Sequence, residues 1–216
     1  FTKSDQQTHE PTGTVAGFPD ATGEFLPLVC TLNGARNLVA TAQVLGVRLA
    51  ELSQLALSAE PGSQGVTFVP YLEGERTPPL PDARGQLVGL TLANMTPANI
   101  ARATVEGVLW SLAYGVEVLR EQTGEISSIT LTGGASQSEA VRQIAPAVFG
   151  IPVVITDTFE SVAVGAARQA AWALTGTLPD WPVPVISQQE PTATDQRASV
   201  EIMERYRSVL TAHFGL

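Results

Sequence analysis

Apolar positions recur along this chain with two spacings, and the switches between them predict its elements. Short apolar runs at Val15 to Phe18 and Phe25 to Cys30 predict two strands. The turn between them, Pro19-Asp20-Ala21-Thr22-Gly23, has a proline to preset one backbone angle and a glycine to permit another. Leu38, Ala42 and Leu45 then follow at helical spacing, with Asn33 read as the N-cap and Gly46 as the stop. Glu51 to Leu57 predict a second short helix. The clearest helix opens at Thr96-Pro97, a cap followed by proline at the first helical position. Ile100, Thr104, Val108, Leu112 and Val116 form its stripe, joined by Ala103 and Leu119, and Gly124 closes it.

Two strand–helix units come next. Ile129 to Thr132 predict a strand, Gly133-Gly134-Ala135 a tight turn, and Ser136-Gln137-Ser138-Glu139 a capping box. Val141, Ile144, Ala145 and Val148 mark the helix face, and Gly150 ends it. Val153 to Ile155 predict the second strand. Asp157-Thr158-Phe159-Glu160 is another capping box, opening a helix whose Ala163, Ala166, Ala167, Ala170 and Ala171 are read as core packing. Trp181 to Pro191 is read as a proline-spaced connector and Glu201 to His213 as a final helix.

Residues 60 to 90 break the pattern. Prolines and glycines interleave there, with one short strand at Val66 to Val69, and the stretch is read as a loop-rich insertion at about 60–95. The element order, a hairpin and then strand–helix units, predicts an α/β fold with a mixed sheet flanked by helices.

Charge narrows the function. The chain has 216 residues and a net charge of −9, with no basic footprint for nucleic acid. A phosphate would have to be held by backbone N–H groups, helix N-termini or a metal. The single cysteine, Cys30, lies in an apolar run and permits no intrachain disulfide, which fits a reducing, cytoplasmic location. No apolar run reaches membrane-spanning length.

Three stretches hold candidate chemistry. The first is the strand into Gly133 and Gly134 ahead of a capped helix. Glycines allow a ligand or another backbone close, and the helix N-terminus favours anions; the same pattern also makes a plain tight turn. The second is the polar patch Asn33, Arg36 and Asn37 at a strand end, which faces a ligand cleft or simply caps a helix. The third is Glu73-Gly74-Glu75-Arg76-Thr77-Pro78, whose carboxylates bind metal, bind sugar, or pair with Arg76 to pin the loop. No His, Cys or carboxylate cluster has metal-ligand spacing.

Together these stretches resemble a known family. Gly85-Gln86-Leu87-Val88-Gly89-Leu90, eight residues, then Asn99-Ile100-Ala101-Arg102-Ala103-Thr104-Val105-Glu106 is similar to the second signature of the FGGY carbohydrate kinases. Pro70 to Pro78, Gly13 to Phe18 and Leu26 to Asn33 resemble its xylulokinase branch. Thr132-Gly133-Gly134-Ala135 resembles the family's adenosine motif, and Glu160 to Ala167 its last helix.

The resemblance implies an actin-like ATPase, ribonuclease H-like fold of two lobes with ATP and Mg²⁺ between them. Gly133, Gly134 and Ala135 would line the adenosine, with Ser138 one helical step on, and Asn33 and Arg36 touching the nucleotide from the other side. No catalytic residue is assigned here, because the family carries its catalytic aspartate, first phosphate loop and sugar site in the N-terminal lobe, which nothing here matches. Residues 1–216 are thus expected to be the C-terminal nucleotide-binding lobe of a larger enzyme, inactive alone. Its expected reaction moves the ATP γ-phosphate to D-xylulose, giving D-xylulose 5-phosphate. The alternatives are another kinase of the family, acting on ribulose, fuculose, gluconate or glycerol, or a non-catalytic actin-fold module. Expected partners are ATP or ADP, the N-terminal lobe of the same polypeptide, the sugar mainly through that lobe, and a second copy in a homodimer; nucleic acid and membrane are not among them.

Overall fold

The computed structural model describes residues 1–157 and 160–216. The chain opens with an antiparallel hairpin, β1 (Val15–Pro19) and β2 (Phe25–Val29), in register from Val15 opposite Val29 to Pro19 opposite Phe25. Its turn is closed by Asp20, whose carboxylate accepts from the Thr22 and Glu24 amides at 2.7 and 3.0 Å. Helix α1 (Ala35–Leu45) ends on Gly46 in the left-handed conformation, φ 68°. Its N-cap is Gly34, not Asn33, and no side chain caps it. Helix α2 (Leu49–Ser58) starts on a reciprocal contact in which the Glu51 carboxylate accepts from the Arg48 amide at 2.9 Å.

The insertion-like stretch is more ordered than its composition suggests. Strand β3 (Thr67–Val69) pairs antiparallel with β4 (Gln86–Val88), a strand the apolar pattern did not reveal. Between them, Glu75 and Leu80 exchange backbone hydrogen bonds of 2.8 and 2.9 Å and fold the loop onto itself.

Helix α3 (Pro97–Thr123) is the centre of the domain. Thr96 caps it by accepting from the Asn99 amide at 3.2 Å, and Gly124 stops it, as the sequence predicts. It packs against α1, α2 and β3, so most of its circumference is buried, including Val105, Leu109 and Trp110. Every residue from Ala101 to Ser111 except Arg102 is buried, so this part of the helix has no wet face on which to place its charges. Accordingly Glu106 is buried, paired with Arg102 at 2.6 Å and accepting from the Gly62 amide at 2.9 Å.

The mixed sheet follows. Strand β5 (Ile129–Leu131) runs parallel to β6 (Val153–Thr156), and helix α4 (Glu139–Phe149) connects them. Strand β7 (Val185–Gln189) adds to the other side of β6, antiparallel, so Trp181 to Pro191 is not a plain connector. The capping box expected at Ser136 is displaced by two residues. Gly134–Gln137 form a 3₁₀ turn, and Ser138 is the residue that caps α4, accepting from the Val141 amide at 3.5 Å. Of the second expected capping box, Thr158 and Phe159 lie outside the described residues.

Helix α5 (Ser161–Thr175) corrects another expectation. Its alanine stripe is not core, since none of its residues is buried. Helix α6 (Ala193–Phe214) begins earlier than Glu201 and returns across the domain, burying Tyr206 and Leu210 against β3 and α4. It is held by Arg205, which donates to the Gly62 carbonyl at 2.8 Å, and by Ser199, which donates to the Ala147 carbonyl at 2.6 Å.

Candidate functional site

A cleft of about 710 Å³ lies between α1, α2 and the turn that leads into α4. Its walls are mainly apolar, from Leu38 and Val39 of α1 and Leu49, Leu52 and Leu57 of α2. Val39 and Leu49 are 40% and 51% exposed, so the cleft leaves apolar surface in water. Apolar walls with a few polar groups at one side are the usual make-up of a small-molecule site.

The polar side is the turn Gly134–Gln137 and the start of α4. Gly134, Ala135 and Ser138 all lie on the cleft wall. Gly133, immediately before them, has φ +83°, a conformation that demands glycine. Gly134 is different. Its φ is ordinary, and a Cβ added there would meet nothing within 4 Å. Neither the backbone nor the packing of the described residues requires glycine at 134.

The turn itself is rigidly tied. Ser136 donates its hydroxyl to the Gly133 carbonyl at 2.7 Å, and Arg142 donates to the Ser136 carbonyl at 2.5 Å. Ser53 of α2 accepts from the Ala140 amide at 2.9 Å, stitching α2 to the first turn of α4. Ser138 and Glu139 place the N-terminal end of α4 on the cleft wall.

Asn33 and Arg36 lie elsewhere. They line a separate cleft of about 300 Å³ on the other side of α1, and Val39 borders both. Asn33 is buried, and its side-chain amide is fully engaged inside the protein. Its Nδ2 donates to the Gly74 carbonyl at 2.5 Å and to Glu75 Oε2 at 3.0 Å, while its Oδ1 accepts from the Leu72 amide at 3.1 Å. Arg36 is exposed and forms a two-pronged pair with Glu73 at 2.7 and 2.9 Å. The arginine paired with a loop carboxylate is thus Arg36, through Glu73, and not Arg76. The Arg76 amide, for its part, donates to Glu75 Oε1 at 2.8 Å.

Sequence reading missed the α2 wall and Ser53. The available signal was an α2 with more leucines than one buried face needs: Leu52 is buried while Leu49 stays half exposed. Among the described residues, no group of three His, Cys, Asp or Glu is arranged to hold a metal ion. Among them too, no helix is long and apolar enough to cross a membrane.

These features match known proteins over most of the chain. A xylulose kinase structure from Bifidobacterium adolescentis superposes with a TM-score of 0.78 at 45% identity, covering 92% of this chain and 40% of that one. The xylulose kinase of Streptomyces coelicolor is 39% identical over 177 residues, 82% of this chain and 35% of its own length. The gluconokinase of Bacillus subtilis is 37% identical over 135 residues, 61% of this chain and 26% of its own. The mixed sheet with flanking helices is an actin-like ATPase lobe of the ribonuclease H-like kind. Residues 4–174 match the model of the C-terminal domain of the FGGY family of carbohydrate kinases, and the chain belongs to that family. It spans about a third of the length of the curated relatives it matches.

Proposed function

We propose that residues 1–216 are the nucleotide-binding lobe of an ATP-dependent sugar kinase, with the cleft between α1, α2 and the Gly133–Ser138 turn as the adenosine site. The observation that carries this reading is Gly134, a glycine on the cleft wall that nothing within the chain demands. Val39 and Leu49 offer the apolar faces a purine needs, backed by Leu38 and Leu52, and Gly134 and Ala135 let the ribose side approach the backbone. The start of α4 favours the negative end of the nucleotide.

Bound ATP supplies the phosphoryl group. The chain's own share is to bind the base, exclude water from it and fix the direction in which the phosphates leave the cleft. Mg²⁺ usually takes one or two carboxylates together with phosphates and waters. The cleft wall offers Glu139 alone, already accepting from Gln143 at 2.8 Å. Among the described residues no cluster of three His, Cys, Asp or Glu is arranged to hold an ion, and in this reading Mg²⁺ is left to the remainder of the enzyme.

The acceptor in this reading is D-xylulose, on the strength of the xylulose kinases among the relatives. Gluconate is the second reading, favoured by the gluconokinase match. The catalytic aspartate, the sugar site and cytoplasmic location come with the enzyme as a whole. The bare helix α5 supports a further lobe of the same polypeptide as the partner, and a homodimer is the alternative occupant of that face.

The test is ATP titration of the full-length polypeptide carrying this lobe, with and without Gly134→Val. Affinity should fall on the order of tenfold, about 1.4 kcal/mol, without unfolding. ADP release with xylulose, gluconate or no sugar then separates the acceptors. Unchanged affinity in a folded Gly134→Val variant removes the assignment. ATP binding with no sugar-dependent turnover favours a non-catalytic module.

A further inference from the structure

Helix α1 supplies a wall of the cleft, yet nothing at its own start holds it. Its N-cap is Gly34, with no side-chain cap. The restraint comes from a loop some forty residues away in sequence. The Glu75 carboxylate is 1% exposed and lies against the junction of β2 and α1. Its Oε1 accepts from the Leu32 amide at 2.7 Å and the Arg76 amide at 2.8 Å, and its Oε2 accepts from Asn33 Nδ2 at 3.0 Å. Thr77 adds a bond from its hydroxyl to the Cys30 carbonyl at 3.0 Å.

The loop that presents Glu75 has little room to yield. Gly74 sits at φ +72°, and the Pro81 carbonyl fills the place a Cβ would take. Glu75 and Leu80 are paired through their backbones in both directions. A carboxylate buried this deeply persists when its lone pairs are filled by donors, and three are present here. The negative charge also lies at the end of α1 where the helix dipole welcomes it.

We infer that Glu75 is a positioning residue for nucleotide binding: it locks the β2–α1 junction so that Ala35, Leu38 and Val39 stand on the cleft wall before the nucleotide arrives. This rests on reading the cleft as the nucleotide site. Glu75 touches no part of that cleft and acts only through Leu32, Asn33 and the first turn of α1. The reading also gives Asn33 a different role from the one the sequence suggested. Its amide relays the Glu75 carboxylate to the Leu72 and Gly74 backbone.

Glu75→Gln replaces an acceptor with a donor. In one amide orientation the new NH2 faces the Leu32 and Arg76 amides, and in the other it faces Asn33 Nδ2, so one side of the network loses its acceptor either way. In the full-length enzyme, the KM for ATP should rise several-fold for Glu75→Gln and less for Glu75→Asp, with the KM for the sugar unchanged. A merely structural role lowers the active fraction, and so kcat, leaving both KM values alone. Gly134→Val is run beside them. If it too leaves the KM for ATP unchanged, the cleft assignment has failed. If it raises KM and a folded Glu75→Gln does not, the positioning role is overturned. Should the Glu75 variants not fold, hydrogen exchange on the wild-type enzyme decides. The Leu32 and Arg76 amides should be protected without nucleotide, and rapid exchange there that slows only when ATP is added sinks the proposal.

Discussion

Gly107 of α3 lies flat against the carbonyl of Phe68 in β3, so close that a Cβ on Gly107 would occupy the space of that oxygen and its carbon. A glycine inside a long helix costs stability by itself, and here it is what lets strand and helix touch. Gly107→Ala should therefore destabilise the protein despite alanine's better helix propensity, by about 1–3 kcal/mol or more. Gly115→Ala is the control, because its added Cβ would meet the Val29 side chain, nearest at a methyl 3.3 Å away, and no backbone. Urea midpoints for the two variants check this, and equal midpoints would remove the close-packing account.

Ion pairs in this protein differ sharply in setting. The side chains of Arg102 and Glu106 are 11% and 5% exposed, whereas those of Arg36 and Glu73 are 76% and 56% exposed. Glu106→Ala strands a buried guanidinium and leaves the Gly62 amide without its acceptor. The expected loss is about 3–5 kcal/mol. Glu73→Ala should cost under about 1 kcal/mol, because water already screens that pair. Denaturant midpoints at constant slope make the comparison direct.

The features a local reading captures are those whose cause is local. The Thr96 cap, the Gly124 stop, the 15–29 hairpin and the glycine turn after β5 each follow from a few adjacent residues. What stayed hidden depends on distant partners or on near-equivalent choices. Asn33 looks like a cap because nothing nearby announces Glu75, 42 positions on. Ser136 and Ser138 both suit a cap, and the 3₁₀ turn chose the second. Strand β7 carries only Val185 and Ile186 before turning polar, in a proline-rich stretch that masks it. The FGGY resemblance identifies the family, while the division of the polar candidates between two clefts depends on contacts between residues far apart in sequence.

Alkaline pH should probe the contact between α6 and the 70–80 loop. The hydroxyls of Tyr71, Ser111 and Tyr206 lie together in the interior, and among the described residues none finds a hydrogen-bond partner of normal geometry. Burial pushes the Tyr71 phenol up to about 12 and the Tyr206 phenol well above its ordinary value. The unfolded chain loses these protons first, near pH ~10, so rising pH favours unfolding. Stability should be level below that point and fall as pH climbs through the folded values. The chain has one lysine, Lys3, so few other groups confuse this window. Tyr71→Phe removes one of the phenols and should flatten the decline. An identical decline in the variant would assign the effect to other groups.

Helix α5 poses the last test. Val162 and Leu174 are 87% and 88% exposed, and no residue of the helix is buried. An apolar helix left bare on a folded domain is a candidate contact face. On the 216-residue chain, Val162→Ser and Leu174→Ser remove no packing and should shift stability by less than about 0.5 kcal/mol. If α5 docks against the further lobe of the same polypeptide, the same changes in the full-length protein bury hydroxyls in an apolar contact. They should then lower its melting temperature and speed proteolysis between the lobes. A homodimer on this face predicts a different outcome, a concentration-dependent loss of the dimer with each lobe pair intact. Melting and sedimentation of both lengths, wild type and double variant, separate the two, and no effect in either would leave α5 solvent-facing in the whole enzyme and overturn the docking role.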